Sequence, residues 1–219
     1  MHESDSADGT LFADGLFTQR VVDLRGSFRS DAADEVVYVL SGSGRATLGG
    51  EEHELRTGVA LFAARNTAWS AEGDARGLSV LVHDPPAAAA PHAVVDLEAV
   101  DEGTATAGRH FLLGATPEVG CASATQFIGL IPPGRAPDHF HRYDEVIYIL
   151  EGEGVLEIGG EQAPLRAGSC VHLPRTLVHC LANTGARELR VLGVFRPAGS
   201  PAEAFYPDGT PAAVPGSDE

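Results

Sequence analysis

The stretch Asp34–Gly44, DEVVYVLSGSG, reappears as Asp144–Gly154, DEVIYILEGEG, at an offset of 110 positions (144 − 34). The correspondence continues without a gap through the Gly-Gly pairs at 49–50 and 159–160 and the single glycines at 58 and 168. A long match at one constant offset indicates an internal repeat. The chain is therefore predicted to contain two copies of one structural unit.

Each copy alternates short apolar runs with glycine turns. The order is an apolar run, a Gly-x-Gly turn, a second run, a Gly-Gly turn, a third run and a glycine before the next apolar segment. Gly-Gly between alternating segments is typical of β-hairpins, and many short strands of even spacing are typical of closed antiparallel barrels. We therefore predict an all-β fold of two tandem barrels.

A proline- and alanine-rich stretch, Asp84–Pro91, separates the copies and is predicted to be a linker. The predicted domains are residues 1–90, the first barrel, and residues 91–219, the second barrel with a C-terminal tail. After Phe195 the chain is rich in proline and glycine, which indicates an extended tail that packs Phe205 and Tyr206 against a barrel.

Composition excludes several function classes. The 219 residues carry a formal charge of −16, which disfavours binding to nucleic acid or to an anionic membrane. All 15 basic residues are arginine, which excludes lysine Schiff-base chemistry and a P-loop lysine. The 3 cysteines lack CxxC spacing, and no apolar run is long enough to span a membrane. A cytoplasmic location is the expectation.

Three histidines and a glutamate in the second copy have the spacing of a metal site. His139 and His141 are two residues apart and so share one face of a strand. Glu145 lies on the next stretch of strand, and His179 can approach from a strand that is distant in sequence. These residues predict one divalent transition metal; the alternative is that the histidines are buried structural residues.

The first copy lacks this set. Arg29, Asp31 and Trp69 stand where the second copy has its histidines, and of the four residues only Glu35 matches. We expect a metal-free barrel in which Trp69 fills the space of a ligand. An ion pair between Arg29 and Glu35, or a bound small anion, is the alternative.

Four further residues are predicted to act at the site: His172, Arg142, Tyr143 and Gln126. Arg142 and Tyr143 flank the ligands and have alanines at the matching positions of the first copy, although surface exposure would explain them equally well. His172 lies in an alternating strand, so it faces either the site or the outside, and a supporting hydrogen bond is the alternative to catalysis. Gln126 precedes an apolar strand whose alternate positions face the interior.

Two motifs in the second copy resemble those of the cupin family. Gly134-x4-His139-x-His141-x3-Glu145-x6-Gly152 resembles the first motif, and Gly168-x5-Pro174-x4-His179-x3-Asn183 resembles the second. Thr176 is the one departure, because the family usually has glycine two residues after the proline. The resemblance covers residues 125–196 and extends weakly to 15–82, so the chain looks like a bicupin.

The resemblance implies double-stranded β-helix (jelly-roll) barrels and one bound Fe, Mn, Ni, Co or Zn ion per chain. It also implies a small-molecule substrate that chelates the metal through oxygen, and a homodimer. Dioxygenase chemistry is favoured, because three histidines and one glutamate leave coordination positions for substrate and oxygen. Isomerase, decarboxylase and ureidoglycine-hydrolase chemistry are alternatives, as is a non-catalytic module that binds a metabolite or stores metal.

Overall fold

The computed structural model describes residues 9–212, which divide into two compact units. The first unit comprises residues 9–100 and 114–126, and the second comprises 101–113 and 127–212. Nearly every regular element is an antiparallel strand, and the only helical elements in the described part are two three-residue 3-10 turns. The all-β prediction is confirmed.

The first unit contains two antiparallel sheets. One has the order β1-β2-β9-β4-β7-β10 and the other the order β3-β8-β5-β6. The strands are β1 Gly9–Ala13, β2 Phe17–Asp23, β3 Gly26–Phe28, β4 Ala33–Ser41, β5 Ser43–Leu48, β6 Glu51–Arg56, β7 Val59–Ala63, β8 Trp69–Gly73, β9 Arg76–His83 and β10 His92–Asp96. Both sheets contribute to one apolar core, in which Val37 and Leu61 of the larger sheet pack with Leu48 of the smaller.

The second unit repeats this pattern. Its larger sheet has the order β11-β12-β13-β19-β14-β17 and its smaller sheet the order β16-β15-β18. The strands are β11 Gly103–Thr104, β12 His110–Leu113, β13 Thr125–Ile131, β14 Asp144–Glu151, β15 Glu153–Ile158, β16 Glu161–Arg166, β17 Cys170–Leu173, β18 Cys180–Asn183 and β19 Leu189–Arg196. Ile147 and Val191 of the larger sheet pack with Leu156 of the smaller.

The repeat extends to strand pairing. β4 pairs with β7 and β9 as β14 pairs with β17 and β19, and β5 pairs with β6 and β8 as β15 pairs with β16 and β18. The Gly-Gly hairpins repeat as well: Gly49 and Gly50 have φ of 64° and 86°, and Gly159 and Gly160 have 58° and 87°. Two successive positive φ values are what a type I′ hairpin turn requires, which explains the glycines.

The division of the chain differs in two places from the boundary predicted at residue 90. Strand β10 lies beyond that boundary but pairs with β7, so it belongs to the first unit. Residues 114–126 also group with the first unit, although they follow part of the second in sequence. This grouping is based on contacts alone, and the domains 1–90 and 91–219 stay a prediction.

The segment after β19 is irregular, as predicted, up to residue 212. Phe205 is buried, and its backbone exchanges two hydrogen bonds with that of Phe140, at 2.9 and 3.0 Å. The two rings stack with centroids 5.6 Å apart. The end of the predicted tail, residues 213–219, lies outside the described part of the chain. Within residues 9–212, no helix has the length and apolar character needed to cross a membrane.

Candidate metal centre

Three histidines converge in the second unit. His139 and His179 are joined by two backbone hydrogen bonds, N of each to O of the other, at 3.0 and 2.9 Å. Their ring centroids are 4.7 Å apart, and the ring of His141 lies 5.0 and 5.3 Å from those of His139 and His179. One ring nitrogen of each histidine lies within 4.8 Å of the other two. The structure therefore brings together the three histidines that the sequence pattern singled out.

Backbone carbonyls orient all three imidazoles. The Nδ1 atoms of His139, His141 and His179 lie 3.0, 2.7 and 2.8 Å from the carbonyl oxygens of Pro137, Glu203 and Leu177. A carbonyl oxygen can only accept a hydrogen bond, so each Nδ1 carries the proton and each Nε2 keeps its lone pair. This arrangement is typical of histidines that bind a metal through Nε2.

Burial keeps the imidazoles neutral. Burial first, and then the neighbouring histidines, lower the pKa of His141 to about 3 and that of His179 to about 4. The pKa of His139 is also lowered, mainly by burial. Neutral imidazole is the form that binds a metal, so all three side chains have their ligating form at neutral pH.

Glu145, in β14, lies on the wall of the cavity that the histidines line. Its side chain is buried, and burial raises its pKa to about 8. Among residues 9–212, no side chain or backbone group donates a hydrogen bond to its carboxylate. Its oxygens fall outside the 4.8 Å group formed by the three histidine nitrogens. A buried carboxylate without a donor is unfavourable unless a cation compensates it.

The cavity is small and mostly apolar, with a free volume of about 80 Å³. Besides the histidines and Glu145, side chains of both sheets line it, including Phe127, Ile147, Leu181 and Val191. Two residues of the segment after β19, Pro201 and Ala204, complete the lining. A site of this kind suits a small organic molecule held close to the histidines.

Of the four residues predicted to act beside the ligands, the structure places only Tyr143 in the cavity. Its buried ring stacks on that of His141, with centroids 4.7 Å apart, and on that of Phe195, at 3.8 Å. Burial raises the pKa of its hydroxyl well above the usual value, and the charge of Glu145 raises it further. Tyr143 is therefore a neutral phenol that can donate a hydrogen bond.

The other three do not line the cavity, and their roles at the site stay predictions. His172 pairs with Val146 in the sheet and so faces away from Glu145, whose partner on β17 is Leu173. Arg142 is exposed, and its guanidinium lies 3.9 Å from the centroid of the Phe205 ring.

Gln126 is buried and groups with the first unit, outside the lining of the cavity. Burial and strand position, rather than closeness to the motif in sequence, decide all three placements.

Two residues that the sequence did not indicate contribute to the site. Arg109 lines the cavity and donates a hydrogen bond from Nη2 to the carbonyl of Leu181, at 2.7 Å. Glu203 supplies the carbonyl that orients His141. Neither has a partner close in sequence, so no local spacing could have identified them.

The first unit fills the corresponding position with hydrogen-bond donors. Glu35 accepts hydrogen bonds from Arg20 Nη2 at 3.0 Å, from Ser79 Oγ at 2.5 Å and from Trp69 Nε1 at 3.2 Å. The alternative of an Arg29–Glu35 ion pair is wrong, because Arg29 pairs with the exposed Asp31 at 2.9 Å. A carboxylate satisfied in this way has no need of a cation.

A second group of candidate ligands, Asp138, Glu157 and Cys180, also lies within 4.8 Å. Arg135 already pairs with both of its carboxylates: Nε lies 2.6 Å from Glu157 and Nη2 lies 2.6 Å from Asp138. These contacts raise the pKa of the guanidinium, which remains charged. A bound metal would have to displace this arginine, so we assign the metal centre to the three histidines.

Comparison with known proteins agrees with this fold. Residues 127–195, which include His139, His141, Glu145 and His179, match the family model described as Cupin domain. The polyketide synthase CurC of Streptomyces cyaneus is 30% identical over 101 residues, which are 45% of this chain and 66% of the relative. The oxalate-binding protein of Thermotoga maritima is 36% identical over 67 residues, 30% of this chain and 55% of the relative. The chain thus spans less than two thirds of either relative.

Solved structures extend the likeness beyond the matched domain. A cupin 2 conserved barrel domain protein from Leptotrichia buccalis is similar with a TM-score of 0.61 at 14% identity, covering 89% of this chain and 90% of that one. A single-residue mutant of Bacillus subtilis oxalate decarboxylase has a TM-score of 0.65 at 13% identity, covering 90% and 79%. At such identities the likeness concerns the fold. The match to the cupin domain model is confined to residues 127–195.

Proposed function

We propose that the second unit binds one divalent transition metal through His139, His141 and His179, with Glu145, and that a small oxygen-bearing molecule binds beside the metal in the cavity. The observation that carries this proposal is the convergence of three imidazoles whose Nδ1 atoms are all held by backbone carbonyls. Three directed lone pairs beside a buried carboxylate without a donor fit a divalent cation.

The donor set fits several metals. Imidazole suits zinc, copper, iron and nickel, and a carboxylate also suits manganese. We therefore propose Fe, Mn, Ni, Co or Zn without choosing among them. One ion per chain is proposed, because donors of the protein itself occupy the carboxylate of Glu35 in the first unit.

The finer proposal is a metalloenzyme with dioxygenase-like chemistry. A bound metal would supply Lewis-acid or redox chemistry next to the substrate. The chain itself supplies apolar walls that exclude water, the phenol of Tyr143 as a hydrogen-bond donor, and Glu145 as a group that can hold a proton or a charge. Isomerase or ureidoglycine-hydrolase-like chemistry would use the same groups.

A non-catalytic module that binds a metabolite or a metal is the second candidate. It is favoured by one observation: His172, Arg142 and Gln126, the expected additional polar groups, do not line the cavity. Of two similar proteins, one is named for binding, an oxalate-binding protein, and the other for catalysis, an oxalate decarboxylase. Each unit is further proposed to be a cupin barrel, and the chain to form a homodimer, which light scattering would test.

The proposal is tested by metal analysis together with oxygen uptake. Protein purified without chelator or nickel resin is expected to contain about one metal per chain, and the His139→Ala/His179→Ala variant is expected to contain none. His92→Ala, which changes a half-buried histidine of the first unit, serves as the matched control. Oxygen uptake on addition of candidate substrates, abolished by the double substitution, would support the enzyme. Metal binding with no turnover of any substrate would favour the binding module.

A further inference from the structure

Arg109 provides a positive charge in the metal cavity, and no carboxylate among residues 9–212 pairs with it. The residue follows a 3-10 turn, Thr106–Gly108, and precedes β12. It lines the same cavity as the three histidines, and its Nη2 donates to the carbonyl of Leu181 at 2.7 Å. The thiol of Cys180 is a further hydrogen-bond partner, and the arginine side chain is half-buried. Neither partner is a carboxylate that would neutralise the guanidinium.

The turn before Arg109 holds a backbone conformation that side chains rarely adopt. Ala107 has φ 58° and ψ 37°, and Gly108 has φ 68°. A non-glycine residue in this left-handed region is unfavourable and persists only where the surroundings impose it. The turn and the bond to Leu181 together fix the guanidinium at the cavity wall.

Arg109 lies close enough to the histidines to act on them electrostatically. Its side chain lines the same cavity as the imidazoles of His139, His141 and His179. A divalent metal on the histidines would add two positive charges to the one on Arg109, against a single negative charge on Glu145. The mostly apolar cavity would then hold about two uncompensated positive charges, which is unfavourable unless an anion enters.

We propose that Arg109 is the anion-binding residue of this cavity and that the substrate is an organic monoanion with an apolar body. Its carboxylate, or another anionic oxygen, pairs with the guanidinium, while its carbon skeleton lies against Phe111, Phe127, Ile131 and Ile147. The apolar lining is the reason for preferring such a molecule to a compact dianion such as oxalate, because oxalate has no nonpolar surface to bury against these side chains. This assignment rests on the proposed function, because the metal supplies part of the charge that the anion neutralises.

The test compares benzoate with benzamide, which has nearly the same shape and apolar body but no charge. Binding of each to cobalt-loaded protein is measured by calorimetry, and the visible spectrum of the cobalt reports a change in coordination. The wild type is expected to bind benzoate at least about tenfold more tightly than benzamide, since a charge-assisted pair is about twice as strong as a neutral one.

Two variants of Arg109 and one control complete the design. Arg109→Gln is expected to weaken benzoate binding about tenfold and to leave benzamide binding unchanged. Arg109→Lys keeps the charge but loses the planar fork, so we expect about a threefold loss with the preference for benzoate retained. Arg45→Gln, an exposed arginine of the first unit, is the matched control and should behave like the wild type.

Distinct results overturn distinct claims. Unchanged benzoate affinity in Arg109→Gln, with cobalt retained, would refute the role of Arg109. If that variant does not fold, equal binding of benzoate and benzamide by the wild type and by Arg109→Lys would refute it instead. Oxalate binding more tightly than benzoate would refute the apolar body. Failure of the wild type to take up cobalt would refute the proposed function, and the benzoate–benzamide comparison in the metal-free protein would still test Arg109.

Discussion

Replacing Gly193 by alanine tests whether the carboxylate of Glu145 belongs to the metal centre. Gly193 lies in β19 and pairs with Ile147 of β14. A Cβ atom added at this position would lie 2.3 and 2.6 Å from two ring carbons of Phe127 and 2.9 Å from Glu145 Oε1. Both side chains would have to move. In the first unit Ser79 takes the matching place opposite Val37, and its hydroxyl donates to Glu35.

The expected magnitude follows from these distances. Overpacking of a filled interior costs about 1–3 kcal/mol of unfolding free energy. Disturbing a group that positions a metal lowers metal affinity about 10- to 100-fold, which corresponds to about 1.4–2.7 kcal/mol of binding free energy. We therefore expect Gly193→Ala to reduce both stability and metal affinity.

The assay pairs denaturant unfolding with titration of cobalt against a competing chelator. Gly77→Ala is the matched control, because a Cβ atom at Gly77 in β9 would lie 2.9 and 3.0 Å from two methyl carbons of Leu24 and 3.0 Å from Val37. It should cost the same order of stability and leave metal affinity unchanged. Wild-type affinity in Gly193→Ala, or an equal loss of affinity in Gly77→Ala, would refute the reasoning.

Three further predictions concern pH, the first unit and the segment after β19. Burial raises the pKa of Glu145 to about 8 from its ordinary 4.5, so the metal-free fold loses stability as pH rises from 4.5 to 8. Because a metal binds the deprotonated carboxylate, the thermal shift caused by cobalt should grow between pH 6 and pH 8.5. A shift independent of pH would contradict this prediction. Glu35→Gln removes the charge that pairs with the partly exposed Arg20 and should lower the unfolding free energy by about 1–2 kcal/mol, while elemental analysis finds the metal content unchanged. Phe205→Ala removes the stack on Phe140 and loosens the segment whose Glu203 carbonyl orients His141, so cobalt affinity in the chelator titration should fall about tenfold; wild-type affinity would show that the segment does not hold the ligand.

Much of the fold could be predicted from the sequence because its determinants are local. Paired glycines at 49–50 and 159–160 specify hairpins, and the 110-position offset shows that one pattern occurs twice. Strand β10 was not predicted, because it directly follows the proline-rich stretch. It is stabilised by pairing with β7, a contact between segments far apart in sequence. Residues 114–126 also group with the first unit, and one contact between them is the hydrogen bond from Ser123 Oγ to Asp34, 89 positions away in sequence.

The candidate site divides in the same way. The spacing within two short motifs was sufficient to predict that His139, His141 and His179 lie close together. The alternation of side chains along β17 does not show which face of the strand lies inside the unit. In the structure Val171 and Leu173 are buried in the core, so His172 between them faces away from the cavity. Arg109 and the Leu181 carbonyl that holds it are 72 positions apart, so no motif could have joined them.

The most direct test of the metal centre is a zinc anomalous difference map from crystals of zinc-loaded protein. We expect one strong peak per chain, about 2.1 Å from the Nε2 atoms of His139, His141 and His179, and no peak at Glu35 of the first unit. A peak among Asp138, Glu157 and Cys180, or no peak at the three histidines, would contradict the assignment.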